Sequence, residues 1–344
     1  MSSTTGQFIG LALRLAVAMA GTYLSVRMMM KMLDPSREAK EEAKKKVAAI
    51  LQNIDLPRDV EMNEYEMRIA AMLVPPQNGI DWADIGGCDN LINELRQRLV
   101  LPLQLMQSNA RQTSLLSPSK GILLHGPPGC GKTLMARAVA KAVDARFIEL
   151  DIAVLTDKWY GESQKLVSAL FSFARKVEPT IIFIDEIDTF LRDRQSSDNE
   201  TTSMMKAQFM TQWDGFTNSD AQVVVMGATN CPGSIDAAIY RRMPMRFCVP
   251  LPDMQSRLQI LKVILKDEYV DELNLEEIAQ HADGLSGSDL KEVCRTAALR
   301  RLSHNFDTHN RIGEVVIRQQ DLIDSVDHFR GHSRYTHFFE SRLD

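Results

Sequence analysis

The rhythm of apolar and polar positions changes three times along the chain. From Phe8 to Val26 the run FIGLALRLAVAMAGTYLSV is apolar except for Arg14. As a helix rising about 1.5 Å per residue it would span roughly 28 Å, enough to cross a bilayer. From Gly121 onward, short apolar runs (GILLH, RFIEL, TIIFID, VVVMGA) alternate with helix-period or loop segments. That alternation predicts a parallel sheet covered by helices. After Leu251-Pro252-Asp253 the strand-like runs stop and amphipathic helical segments follow, predicting a small α-helical lid. The expected fold class is therefore α/β with a helical lid, preceded by a single transmembrane helix.

Between the first apolar run and the sheet, Asp34-Pro35 reads as a helix start that leads a highly charged helix to about Ile54. Asn63 and Glu66 have the spacing of a capping box, opening a second helix, EYEMRIAAMLV, that Pro75-Pro76 ends. The expected domains are an anchor (1–33), a helical linker (34–81), a large α/β unit (82–252) and the lid with a C-terminal helix (253–344).

Charge gives the first run an orientation. No Lys or Arg precedes Phe8, whereas Arg27, Lys31, Arg37, Lys40, Lys44, Lys45 and Lys46 crowd its far side. Positive-inside bias then puts the bulk of the chain in the cytosol. A cleaved leader is the competing reading, since AVAMA (Ala16 to Ala20) contains an A-x-A pattern, but the charge asymmetry favours a retained anchor. Arg14 costs about 3 kcal/mol at mid-bilayer, less if it snorkels. Over all 344 residues the formal net charge is −5, which offers no electrostatic footprint for nucleic acid. The five cysteines are scattered without a C-x-x-C pair, which points away from a disulfide framework or a zinc ribbon, and no H-E-x-x-H zinc motif occurs.

The first strand-like run leads into GPPGCGKT, which satisfies G-x-x-x-x-G-K-[ST] between a strand and the helical segment LMARAVAKAV. Gly126, Gly129 and Gly131 free the backbone to curl round phosphates, and Pro127, Pro128, Cys130 and Leu134 complete the nucleotide-contacting stretch. Lys132 would reach the β- and γ-phosphates and the Thr133 hydroxyl would ligate Mg²⁺. The third run ends in DEID, where Asp185 can hold a hydrated Mg²⁺ and Glu186 can polarise an attacking water. The fourth run closes with GATN, placing Asn230 where an amide can sense the γ-phosphate. ATP with Mg²⁺ is the ligand these residues suit.

Together these motifs resemble the AAA ATPases over about Trp82 to Arg330. WADIGG, with Ile85 and Gly87, is similar to the family's motif beside adenine, and GLSGSDL, with Gly287, to its lid motif. The resemblance implies a ring in which arginines of one subunit reach the γ-phosphate of the next. The matching stretch is RRMPMRF, which departs from the commoner RRxGRF by one extra residue and a Pro, so Arg241 and Arg242 are the first candidates and Arg246 the third.

DKWYGES falls where family members carry an aromatic pore loop, which implies that Trp159 and Tyr160 grip an unfolded polypeptide and that Gly161 lets the loop bend. LRDRQSSDNE, Leu191 to Glu200, is placed as a second pore loop. Within the family the resemblance is densest to the membrane-anchored members of the mitochondrial outer membrane, which are also found on peroxisomes. It implies a cytosol-facing homohexamer that extracts mislocalised tail-anchored proteins. ATP-driven disassembly of a cytosolic complex or filament, microtubule severing included, and a nucleotide-dependent membrane scaffold remain the other readings.

Overall fold

The computed structural model describes residues 21, 62–75, 79–108, 118–155, 162–190, 200–217, 221–309 and 315–340. The apolar run Phe8 to Val26 lies outside them apart from Gly21, as does the helix expected from Pro35. Among the described residues no helix is long and apolar enough to cross a membrane.

Helix α1 (Glu64–Ala70) leads into strand β1 (Leu73–Val74). Helix α2 (Asp89–Leu95) continues through a π-helical turn, Arg96–Val100, into α3 (Leu101–Gln107). The central unit then runs β2 (Gly121–His125), α4 (Lys132–Ala142), β3 (Arg146–Glu149), α5 (Ile152–Leu155), α6 (Glu162–Lys176), β4 (Thr180–Ile184), α7 (Ile187–Phe190), α8 (Glu200–Thr217), β5 (Val223–Thr229), α9 (Ala237–Arg242) and β6 (Met245–Cys248).

The sheet order is β1-β3-β4-β5-β2-β6, with β1 antiparallel to β3 and every other pair parallel. All of β4 and β5 is buried, which is why those runs are continuously apolar rather than alternating. On one side α4 and the α2–α3 helix close a core around Leu95, Leu99, Ile122, Val139 and Phe183. An aromatic cluster forms where α6 meets α8. Phe171, Phe209 and Trp213 stand there with ring centroids 5.1 and 5.8 Å apart along the series.

Two strands were not expected from the apolar runs. β6 takes up the end of RRMPMRF and the following Cys248, and it pairs with β2, Leu124 opposite Phe247. It buries only Phe247 of its four residues, so it carries no apolar run to notice. β1 comes from the end of the helix expected over EYEMRIAAMLV. That helix stops at Ala70, and Leu73 and Val74 pair with Ile148 and Phe147. Val74 precedes Pro75, which disfavours the helical conformation there, and Leu73 gains burial at the sheet edge, where it is 3% exposed. The start of the helix is as expected: the Asn63 side chain accepts from Glu66 N–H and Glu66 accepts from Asn63 N–H, each at 2.8 Å.

After Pro252 come α10 (Met254–Ile264), α11 (Leu275–His281), α12 (Gly287–His309) and α13 (Gln319–Glu340). Asp253 caps α10 by accepting from Ser256 N–H at 2.8 Å. Leu261, Ile278, Leu290, Val293, Leu322 and Val326 form a separate lid core. Buried Arg257 ties the entrance of the lid to its body, donating to the carbonyls of Pro252 and Ala279 and pairing with Asp283 at 3.0 Å.

Candidate nucleotide site

Register sets the site. His125 at the end of β2 lies opposite Thr229 at the end of β5, and Ile184 of β4 lies opposite Gly227. The residues that follow these strands therefore emerge along one edge of the sheet. β2 is flanked by β5 and β6, so the chain order changes direction there. Ligands of open α/β sheets bind in the crevice such a switch creates.

The loop from Gly126 to Gly131 needs its glycines. Gly126, Gly129 and Gly131 have φ of 149°, 73° and 89°, and a Cβ on Gly126 would stand 2.0 Å from the Val249 carbonyl oxygen. The curl brings the ammonium of Lys132 back to the carbonyls of Gly126 (2.8 Å) and Pro127 (2.7 Å) and to Oδ1 of Asn230 (2.7 Å). Three donors meet three acceptors, all of which phosphate oxygens could displace. Burial pulls the Lys132 ammonium below its ordinary pKa, opposed in part by Cys130, Asp185 and Asp188. Burial pushes the Cys130 thiol up, so it is neutral at pH 7 and donates weakly to the Pro128 carbonyl at 3.7 Å.

The Thr133 hydroxyl donates to Oδ2 of Asp185 at 2.9 Å, which brings together the two groups that suit a hydrated Mg²⁺. Glu186 has φ of 48°, a left-handed conformation that is costly for this residue type and tends to occur at functional sites. Its amide is held by Asp185 Oδ1 at 2.9 Å and its carbonyl accepts the Thr189 hydroxyl at 2.7 Å. Asp185 and Glu186 are both exposed to the crevice.

The lid closes the other side. Gly87 N–H donates to Oε1 of Gln259, and a Cβ on Gly86 would stand 2.5 Å from Ile260 Cα, so the WADIGG turn lies directly on α10. Ser288 N–H donates to the Gly129 carbonyl at 3.1 Å, joining the start of α12 to the phosphate loop. The result is a crevice of about 670 Å³. It is lined by Asp84, Ile85 and Gly86, by Pro128 to Leu134, by Asp185, Glu186 and Asn230, and by Ile260, Val263, Ile264, Gly287, Ser288 and Lys291. An apolar wall at one end, with a loop of backbone N–H groups, a lysine and two carboxylates at the other, fits a nucleoside triphosphate and its metal ion.

Most of the expected nucleotide residues meet in this crevice. Gly126 and Pro127 contribute through carbonyls that hold Lys132, and Gly87 stands just behind Gly86. Sequence reasoning missed the α10 wall, Ile260, Val263 and Ile264, and Lys291 one turn beyond Gly287. It also missed the link by which Thr229 donates its hydroxyl to Asp188 at 2.6 Å and accepts Cys231 N–H at 2.9 Å, fixing the turn that carries Asn230. The last acid of DEID, Asp188, and the Thr of GATN were the available signals.

The three arginines lie elsewhere. Arg241 and Arg246 line a separate, open surface pocket with Pro232, Ile235 and Tyr240. Arg246 stacks 3.9 Å from the Tyr240 ring centroid and donates to the carbonyls of Tyr240 and Met243. Arg242 makes a two-pronged pair with Asp214, at 2.7 and 2.6 Å, which raises its pKa and lowers that of the carboxylate. Trp159, Tyr160 and Gly161 lie outside the described residues, as does 191–199 of the second expected pore loop.

Sheet, phosphate loop, strand-end carboxylates and helical lid define a nucleoside triphosphatase of the α/β class. A profile described as ATPase family associated with various cellular activities (AAA) matches residues 122–251, and one described as AAA+ lid domain matches residues 272–314. The chain belongs to the AAA ATPase family. It is 53% identical over 324 residues to the mitochondrial sorting homolog of Caenorhabditis elegans, covering 94% of each chain. It is 50% identical over 326 residues to the outer mitochondrial transmembrane helix translocase of Homo sapiens, covering 92% of this chain and 89% of that one. The crystal structure of the FIGL-1 AAA domain in complex with ADP superposes with a TM-score of 0.65 at 36% identity, covering 78% of this chain and 91% of that one.

Proposed function

We propose that this chain is an ATP-hydrolysing translocase of the mitochondrial outer membrane that draws mislocalised tail-anchored proteins out of the bilayer through the pore of a homohexamer. A peroxisomal membrane would suit the same machine. What carries the reading is that the likeness to the human outer mitochondrial transmembrane helix translocase runs through 92% of the chain, well beyond the residues that form the nucleotide crevice.

In this reading residues 1–33 anchor the chain by one membrane helix, 34–81 link, 82–252 form the large ATPase unit on the cytosolic face, and 253–344 form the lid. Lys132 and the loop amides bind the ATP phosphates while Ile85 and Gly287 frame the base. Thr133, and Asp185 by way of water, would hold the Mg²⁺, which would supply neutralisation of the phosphate charge. Glu186 takes a proton from the attacking water and Asn230 orients it. Asn230 is already within hydrogen-bond reach of Lys132, which supports a role at the γ-phosphate.

Arg241 and Arg242 act on a neighbouring subunit's nucleotide, worth roughly 10³- to 10⁵-fold in rate for such fingers. Arg242 must first exchange Asp214 for phosphate, whereas Arg241 already faces an open pocket. Trp159 and Tyr160 grip the polypeptide. Nucleic acid has no part.

The test uses the full chain in liposomes beside a tail-anchored substrate, with a soluble protein that captures released tails. ATP-dependent release, abolished by Glu186→Gln and by Trp159→Ala with Tyr160→Ala, is the expected result. ATP turnover without release would move the substrate to a complex outside the bilayer.

A further inference from the structure

Helix α1 lies along α6, and two sets of polar groups join them. Toward the end of α6, Glu66 is 1% exposed and meets the Ser172 hydroxyl at 2.7 Å and the Lys176 ammonium at 2.8 Å. At the start of α6, Tyr65 donates its hydroxyl to Oε1 of Glu162 at 3.0 Å. Lys165 donates to that same Oε1 at 3.1 Å and to the Tyr65 hydroxyl at 3.4 Å, with its ammonium 5.6 Å from the Tyr65 ring centroid.

The two sets have different consequences. The Glu66 carboxylate is buried, although Ser172 and Lys176 reach it from the surface, and with buried Ile69 and Ala70 it anchors α1 on the domain. In the Tyr65 set Tyr65 and Glu162 are half-buried and Lys165 is exposed, and the Tyr65 hydroxyl itself adds little to packing, since a phenylalanine ring would fill the same space. Its polar contact acts on Glu162, the first residue of α6, where a carboxylate also complements the helix dipole. Gly161 of DKWYGES immediately precedes it in the chain.

We propose that Tyr65 is a positioning residue: its hydroxyl, through Glu162, fixes the first turn of α6 and with it the point from which Trp159 and Tyr160 are held. The helix that follows the anchor thereby sets how firmly substrate is gripped. This rests on the reading of Trp159 and Tyr160 as the grip.

The experiment measures ATP hydrolysed per tail-anchored protein released, with the full chain in liposomes, for the parent, Tyr65→Phe and Glu162→Gln. For Tyr65→Phe the expected result is an unchanged melting temperature and substrate-free turnover close to that of the parent. The ATP cost per release should rise by about fivefold or more, the scale set by the net contribution of one half-buried hydrogen bond. Glu162→Gln, which still accepts from Tyr65, should raise the cost less.

An unchanged cost in Tyr65→Phe, with the parent releasing normally, overturns the inference alone. A parallel fall in turnover, release and melting temperature also overturns it, by making Tyr65 merely structural. A parent that hydrolyses ATP and releases nothing overturns the translocase reading and the inference with it.

Discussion

The crevice and the α1–α6 junction are built from the same chemistry, an ammonium, a carboxylate and a hydroxyl, and they serve opposite ends. At the junction Glu66, Ser172 and Lys176 satisfy one another around a carboxylate that water does not reach. In the crevice Lys132, Asn230, Thr133 and Asp185 also hold one another, but Asp185, Glu186 and Asn230 face solvent and every bond is one that a phosphate or a metal ion can replace. The lesson is that completeness and burial together distinguish a polar cluster that holds a fold from one that waits for a ligand.

Lys132→Ala gives the largest expected effect and the sharpest break in that symmetry. ATP turnover should fall by at least about 100-fold, the scale for removing a preorganised group from developing charge. The melting temperature should stay near that of the parent. A large loss of stability would show that the crevice lysine is as structural as the junction's.

Glu66→Ala should do the reverse, lowering stability by about 2 kcal/mol in denaturant titration, at the modest end because Lys176 is partly exposed. ATP turnover should persist wherever the protein is folded. Burial tends to raise the Glu66 pKa, but hydrogen bonds from Lys176, the Asn63 amide and Ser172 outweigh it and hold the carboxyl below its ordinary value. Its stabilisation is therefore present above about pH 4.3, the ordinary glutamate value. It is lost as pH falls through the lower folded value. Melting curves between neutral and acid pH should converge for the parent and Glu66→Gln at the acid end, and parallel curves would count against the assignment.

The smallest effect belongs to Lys141→Ala. Lys141 pairs with Asp81 at 2.7 Å, but both side chains are well exposed. Its loss should change stability by less than about 0.5 kcal/mol, which separates exposure with a role from exposure without one.

The sequence disclosed the crevice better than the junction, for a physical reason. GPPGCGKT and DEID each confine their chemistry to a few residues whose strand-to-loop setting can be read locally. TIIFID and VVVMGA announce buried parallel strands by their unbroken apolar character. By contrast, the α10 wall reaches the WADIGG turn across a sequence separation of 172 residues, Gly87 to Gln259. Tyr65 meets Glu162 across 97. Neither residue pair carries a local pattern, since each half reads as an ordinary polar position on a helix or turn. β6 escaped because one buried Phe247 makes no period, and β1 because two residues cannot. The capping box at Asn63 was legible since its bonds close within four residues.

β1 also bears on how the protein behaves outside its natural setting. It pairs with the edge of β3, and Glu149 N–H donates to the Met72 carbonyl at 3.2 Å. A shortened chain beginning at Trp82 would keep every residue of the phosphate loop yet strip that edge and uncover the apolar seat of Ile69 and Leu73. An uncovered strand edge beside apolar surface is a template for self-association. Preparations trimmed to the enzyme alone should therefore clump with time and concentration, and any activity measured on them would come from a shrinking soluble fraction.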